Sequence, residues 1–124
     1  MSKLVHDSTE TLTLLELVLQ LHGEFRRRLD PIRVTPLQAG VILYLQRHMD
    51  ANMTDTATAL GVRVPTLSVV VNDLVGKRWV TNRRSAEDRR AVCLSLSRRG
   101  EILAQKIEER VRQVKSDLTR KAEA

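Results

Sequence analysis

The sequence predicts a mainly α-helical fold with a small β-hairpin wing: a winged helix-turn-helix held between long N- and C-terminal helices. Three observations predict it. Two short helical patterns, starting at Thr54 and ending near Leu74, meet at Gly61. Beyond them, Trp79-Val80-Thr81 and Ala91 to Leu96 read as short strands flanking a polar, Arg-rich loop. Long helical patterns over 8–29 and 97–119 enclose this middle part.

The first helix is expected over residues 8–29, with Ser8 or Thr9 as N-cap. Leu12, Leu15 and Leu19 line one face, and Leu14, Val18, Leu21, Phe25 and Leu29 another. One small domain packing on one side cannot cover an apolar surface that wide. A central core helix and an intersubunit helix both fit. Asp30-Pro31 ends it, because a residue before proline is pushed out of the α region. Thr35-Pro36 opens the second helix as N-cap and first helical residue. Leu37, Val41, Tyr44, Leu45 and His48 share its face, and 49–52 reads as a loop.

Thr54 is the expected cap of the third helix, with Asp55 complementing its positive end. Ala57 and Leu60 precede Gly61, which can take the left-handed conformation of a tight turn. Leu67, Val70, Val71 and Leu74 then mark a helix burying one side, and Pro65 suits its first turn. In a helix-turn-helix the second helix enters the major groove of DNA. Ser97 is the expected cap of the last helix, where Gly100 weakens the first turn. Leu103, Ile107, Val111, Val114 and Leu118 form a narrow apolar seam, fitting a dimer interface first and the chain's own first helix second. The tail from Arg120 is expected to fray.

At 124 residues the chain is expected to be one domain. Its terminal helices (8–30 and 98–120) flank a lobe at 35–97. No apolar run approaches the roughly 18–20 residues that span a membrane. The polar N-terminus is no signal peptide, and a single cysteine cannot staple the fold, so a cytoplasmic setting is expected. The net charge of +6 is localised. Residues 76–99 hold eight basic and two acidic side chains, while the remaining 13 of each sign cancel. That concentration beside a helix-turn-helix points to a phosphate footprint. Only Phe25, Tyr44 and Trp79 are aromatic, and each sits in an apolar pattern. Without stacking platforms, double-stranded DNA is favoured over RNA or single strands.

Over about residues 8–118 the chain resembles the MarR family of bacterial winged helix-turn-helix regulators. The resemblance is carried by Thr35-Pro36-Leu37-Gln38, the Ala59-Leu60-Gly61 turn, Leu74 to Val80, the wing Ser85-Ala86-Glu87-Asp88-Arg89-Arg90, and Leu96-Ser97-Arg98-Arg99-Gly100. It implies a homodimeric transcriptional regulator, a repressor, on a pseudo-palindromic operator. The wings would then reach the adjacent minor grooves.

Within that frame Pro65, Thr66, Ser68, Val69 and Asn72 are the expected recognition-helix contacts. Thr66 and Ser68 suit phosphates, and Asn72 an adenine edge or a phosphate. Arg84, Arg89 and Arg90 are the wing contacts, suited to the negative potential of a narrow minor groove, with Asp88 orienting an arginine. Leu14, Val18, Leu103, Ile107, Val111, Val114 and Leu118 are the expected dimer interface. A small anionic or aromatic effector is implied as a partner, with His22, Arg26 and Tyr44 as its anchors.

The sequence departs from the family pattern where Arg63 replaces the usual Ser or Asp cap, where Val69 replaces a frequent base-reading Arg, and where Arg78 replaces a Gly. The chain also looks short after its last helix, implying a smaller dimer interface.

His6, His22 and His48 lack zinc-type spacing, so neither a metal, a cofactor nor an enzyme is expected. Cys93 reads as a buried, inert thiol. Two other readings stay open: a winged-helix protein-interaction module, and a non-specific architectural DNA-binding protein.

Overall fold

A computed structural model describes residues 3–84 and 92–123, and the side-chain surroundings of 13–84 and 92–120. Its elements are α1 (Lys3–Leu29), a 3-10 turn (Asp30–Ile32), α2 (Pro36–Arg47), β1 (Ala51–Asn52), α3 (Met53–Leu60), α4 (Val64–Gly76), β2 (Val80–Arg84), β3 (Val92–Leu96) and α5 (Arg98–Glu123). The strands form one antiparallel sheet in the order β1-β3-β2, with Val80 opposite Leu96 and Arg84 opposite Val92. The Asp88, Arg89 and Arg90 of the expected wing lie outside the described residues.

Local chemistry sets most of the element boundaries. Thr35 and Gln38 make a reciprocal cap on α2: the Gln38 N–H donates to Thr35 Oγ1 at 3.1 Å, and the Thr35 N–H to Gln38 Oε1 at 3.0 Å. Gly61 adopts φ 69°, closing α3 as expected, and the Val62 N–H reaches back to the Ala57 carbonyl at 3.0 Å.

Three boundary expectations are corrected. First, α1 begins at Lys3, so Ser8 and Thr9 lie inside it. No Gly or Pro interrupts the stretch before them. Second, the cap of α3 is Asn52, not Thr54: its side-chain oxygen accepts from the Asp55 N–H at 2.7 Å. Third, residues 51–52 are not loop but a short strand, Ala51 opposite Leu94 and Asn52 opposite Cys93.

The end of α4 settles where the departure at Arg78 leads. Gly76 is the last helical residue, and Arg78 takes the left-handed conformation at φ 63°. The Trp79 N–H donates to the Leu74 carbonyl and the Arg78 N–H to that of Val75, each at 3.0 Å. These two bonds satisfy carbonyls the helix end leaves open.

Immediately beyond, α5 is seated on the same backbone. The Ser97 N–H donates to the Trp79 carbonyl at 3.0 Å, and the Ser97 hydroxyl donates to the Arg78 carbonyl at 2.6 Å. That hydroxyl also accepts from the Gly100 N–H at 3.1 Å, capping α5 as the sequence suggested. Gly100 is no mere weak point. A Cβ there would stand 2.0 Å from the Trp79 carbonyl oxygen.

The core gathers beneath this junction, where Leu29, Ile42, Leu45, Leu67, Leu74, Leu94 and Ile107 are fully enclosed. The seam of α5 is filled from within the chain, the second of its two expected partners: Leu103, Ile107 and Val114 are buried where α5 packs on α1 and α2. Val111 is half-buried and Leu118 exposed. On α1, Leu29 is buried, whereas Leu14, Leu15, Leu17, Val18, Leu19 and Leu21 are 37–64% exposed. Arg28 pairs with Asp117, tying α1 to the far part of α5. No single helix among the described residues is long and apolar enough to cross a membrane.

Two predictions follow from this packing. Gly100→Ala lowers stability by about 2–3 kcal/mol, since the colliding atom is backbone and cannot swing away. Urea unfolding monitored by circular dichroism measures it. The second concerns Asp117, whose hydrogen bond from Arg28, aided by Arg120, holds its carboxyl below the ordinary value of 3.8. A lowered folded-state pKa means the contribution is complete above that ordinary value and is lost as pH falls through the folded one. The urea midpoints of wild type and Asp117→Asn therefore differ at pH 7 and converge as the pH falls below the ordinary aspartate range and through the lowered folded-state value.

Candidate nucleic-acid interface

Helix α4 divides cleanly into two sides. Leu67, Val71 and Leu74 are buried, while Val64, Pro65, Thr66, Val69, Asn72 and Asp73 are exposed. At about 3.6 residues per turn, Val69 lies opposite the Leu67–Val71 line. Among the expected contacts, Pro65, Thr66, Val69 and Asn72 thus share the outward face, and Ser68 sits half-buried on its flank. The side chains of Thr66 and Asn72 make no hydrogen bond within the described residues.

The start of α4 has no side-chain cap. Arg63 occupies the cap position in an extended conformation, and Pro65 contributes no N–H. The Leu67 N–H is satisfied by the Arg63 carbonyl at 3.0 Å. The N–H groups of Val64 and Thr66 are left at the positive end of the helix, beside the exposed Arg63 guanidinium. Such an end suits an anion.

The strand β2 extends further than the apolar signal suggested, because Asn82, Arg83 and Arg84 all pair along β3. Arg83 is anchored: its guanidinium meets Asp50 Oδ1 at 3.0 Å, and the Ser95 hydroxyl donates to the same oxygen at 3.0 Å. Asp50 itself takes a left-handed backbone, φ 61°. Sequence reading missed this clasp, since Asp50 and Arg83 lie 33 residues apart with no shared pattern. Arg84, the last described residue of the wing strand, is exposed.

A second missed network ties the exposed flank of α4 to α2. Gln38 Nε2 donates to Asp73 Oδ2 at 2.7 Å, and Lys77 Nζ lies 3.2 Å from that oxygen. Lys77 also stands 5.2 Å from the centre of the Trp79 ring, a cation–π distance. Lys77 and Arg83, both in the 76–99 segment, are therefore tied to carboxylates. The exposed Arg78, Arg98 and Arg99 have no ion pair among the described residues, nor does Arg63 just outside that segment.

The residues expected to anchor an effector lie on two helices, α1 and α2. Tyr44 stacks on His48 with centroids 4.3 Å apart, while His22 and Arg26 are exposed on α1. A cleft of about 420 Å³ opens elsewhere, where α5 leaves the lobe, lined by Pro31, Ile32, Trp79, Arg99, Ile102, Leu103 and Lys106. Cys93 is half-buried and not enclosed, because Leu94 and Leu96 take the inward phase of β3. Among the described residues no three His, Cys, Asp or Glu side chains are placed to hold a metal ion.

Residues 34–91 match the model of the MarR family. The fold is similar to that of the transcriptional repressor CouR bound to a 23-mer DNA duplex: TM-score 0.80, 27% identity, 86% of this chain and 75% of that one covered. It is also similar to a cysteine-to-serine mutant of MarR from E. coli complexed with operator DNA (TM-score 0.82, 21% identity, 97% and 87% covered). A third similar structure is the transcriptional regulator BldR from Sulfolobus solfataricus (TM-score 0.83, 19% identity, 95% and 85% covered). No curated protein sequence matches the chain.

Proposed function

We propose that this chain, which belongs to the MarR family, is a sequence-specific regulator of transcription that binds double-stranded DNA. It acts as a repressor, occupying a pseudo-palindromic operator as a homodimer. The observation that carries the reading is the outward face of α4, with its uncapped N-terminus beside Arg63 and the basic wing following it. The likeness to CouR, whose structure includes a DNA duplex, supports it further.

In this mechanism phosphates position the protein and base edges specify the site. Arg63 and the first N–H groups of α4 meet one phosphate run. Arg84, Arg89 and Arg90 carry the wing to the minor groove, with Asp88 orienting an arginine. Asp50 holds the base of that wing through Arg83 and Ser95.

The homodimer rests on Leu14, Val18 and Leu118 together with the apolar side chains beside them on α1. A small anionic or aromatic effector fits the cleft at Trp79 better than the face of His22 and Arg26. The cleft offers volume, an aromatic wall, and two cations in Arg99 and Lys106.

Selection of genomic fragments by the wild-type protein, scored against salt, tests the reading. Enrichment of an inverted repeat is expected. Equal binding of all fragments would instead point to an architectural, charge-driven role, and absence of binding at low salt to a missing effector or partner and so to a protein-interaction module. Arg90→Ala weakens binding across sequences and lowers the salt slope by about 0.9 for each lost contact. An unchanged slope removes Arg90 from the interface. Val18→Glu shifts the protein from dimer to monomer in sedimentation at micromolar concentration, while far-ultraviolet circular dichroism stays the same. A dimer that survives the charge places the interface elsewhere.

A further inference from the structure

Val69 is 71% exposed, more than any other large apolar side chain described, and it sits at the centre of the outward face of α4. No neighbour on that face carries the guanidinium or ammonium used for bidentate recognition of guanine. Between Val64 and Gly76 the helix has no Arg or Lys. The first basic side chain after it, Lys77, is held by Asp73 and lies over Trp79. Bidentate recognition of guanine O6 and N7 in the major groove is the work of Arg or Lys, so this face is not built for it.

What the face does offer is an isopropyl group flanked by Thr66 and Asn72. The thymine C5-methyl is the apolar group that a base pair displays in the major groove, and an amide side chain can bond adenine N6 and N7. Asn72 is three residues from Val69, one turn along the same side, so the two side chains can face adjacent base pairs. A G·C pair under Val69 would lose water from polar edges and gain no hydrogen bond in return.

Resting on the DNA-binding reading above, we infer that Val69 is a specificity-determining residue that reads a thymine methyl, with Asn72 on a neighbouring adenine. The half-sites of the operator therefore carry A·T pairs beneath the centre of α4, and discrimination there depends on the methyl group itself.

Deoxyuridine differs from thymidine only by that methyl, which makes the test direct. The selected operator is amplified with thymidine or with deoxyuridine triphosphate, and the affinity of the full chain for both duplexes is measured. Burial of one methyl corresponds to about fourfold in affinity, and of one in each half-site to about fifteenfold. The wild type is expected to prefer the thymine duplex by that ratio. Val69→Ser, a change at an exposed position that leaves folding intact and replaces the apolar tip by a hydroxyl, brings the ratio close to one while binding persists in weakened form. Equal wild-type affinity for the two duplexes overturns the inference but leaves the regulator reading standing. A preference that survives undiminished in Val69→Ser overturns the assignment to Val69. Failure to bind either duplex at low salt removes the DNA-binding reading, and the inference with it.

Discussion

The backbone contact at Trp79 is the constraint on which the rest of this structure depends. Its carbonyl accepts the Ser97 N–H and faces Gly100 with no room for a Cβ. Its own N–H closes the end of α4, and its neighbour Arg78 gives up a left-handed backbone and a carbonyl to Ser97. Three elements meet there: the end of the outward-facing helix, the start of the wing and the start of α5. Contacts between backbones have little freedom to stretch, because close-packed interiors transmit displacement. A tilt of α5 is therefore a displacement of Trp79, and the end of α4 and the first wing strand move with it. The cleft lined by Trp79, Arg99 and Lys106 opens on this same point.

Electrostatics work on a different scale. The excess charge of the chain lies in residues 76–99, but it does not all face outward as free charge. Asp50 takes up Arg83, and Asp73 takes up Lys77. Exposed pairs of this kind add little stability, about 0–1 kcal/mol each. Their effect is to fix where a side chain stands. Arg83 is held at the base of the wing, and Asp73 is engaged from α2 through Gln38, so α2 and α4 keep their mutual orientation. The outer face of α5 behaves similarly, with Arg112 bridging Glu108 and Glu109 along the helix.

The parts of the fold legible in the sequence are those in which a residue's local conformation and its tertiary role agree. Gly61 ends one helix for the same reason a glycine ends helices generally, and Thr35 and Ser97 cap as isolated segments would. What could not be read depends on partners distant in sequence. A two-residue strand at Ala51 exists only because β3 lies beside it. Gly100 looks like a defect of its helix until the Trp79 carbonyl is placed against it. The seam of α5 has the spacing of an interface helix whichever partner fills it, and periodicity does not distinguish a second chain from the first helix of the same one. At the candidate interface, α4 was legible because burial follows its period. The Asp50–Arg83 clasp was not, because a pair 33 residues apart leaves no periodic trace.

The filling of that seam alters how a dimer can be built. With Leu103, Ile107 and Val114 enclosed, the inner face of α5 has nothing left to offer a partner except its end near Leu118. Among the described residues the largest run of open apolar surface is on α1, where six large side chains between Leu14 and Leu21 are exposed. Only a polar stripe of Thr13, Glu16 and Gln20 interrupts this apolar face, and a patch of this kind is rare on a protein that stands alone. The dimer proposed for this chain therefore turns on α1, with α5 serving as its buttress and not its zipper. Arg28 and Asp117 brace those two helices against each other. Because α5 is pinned at its other end to Trp79, the spacing between the two outward-facing α4 helices would be set by the pose of α1 against its mate, passed along α5 to the junction.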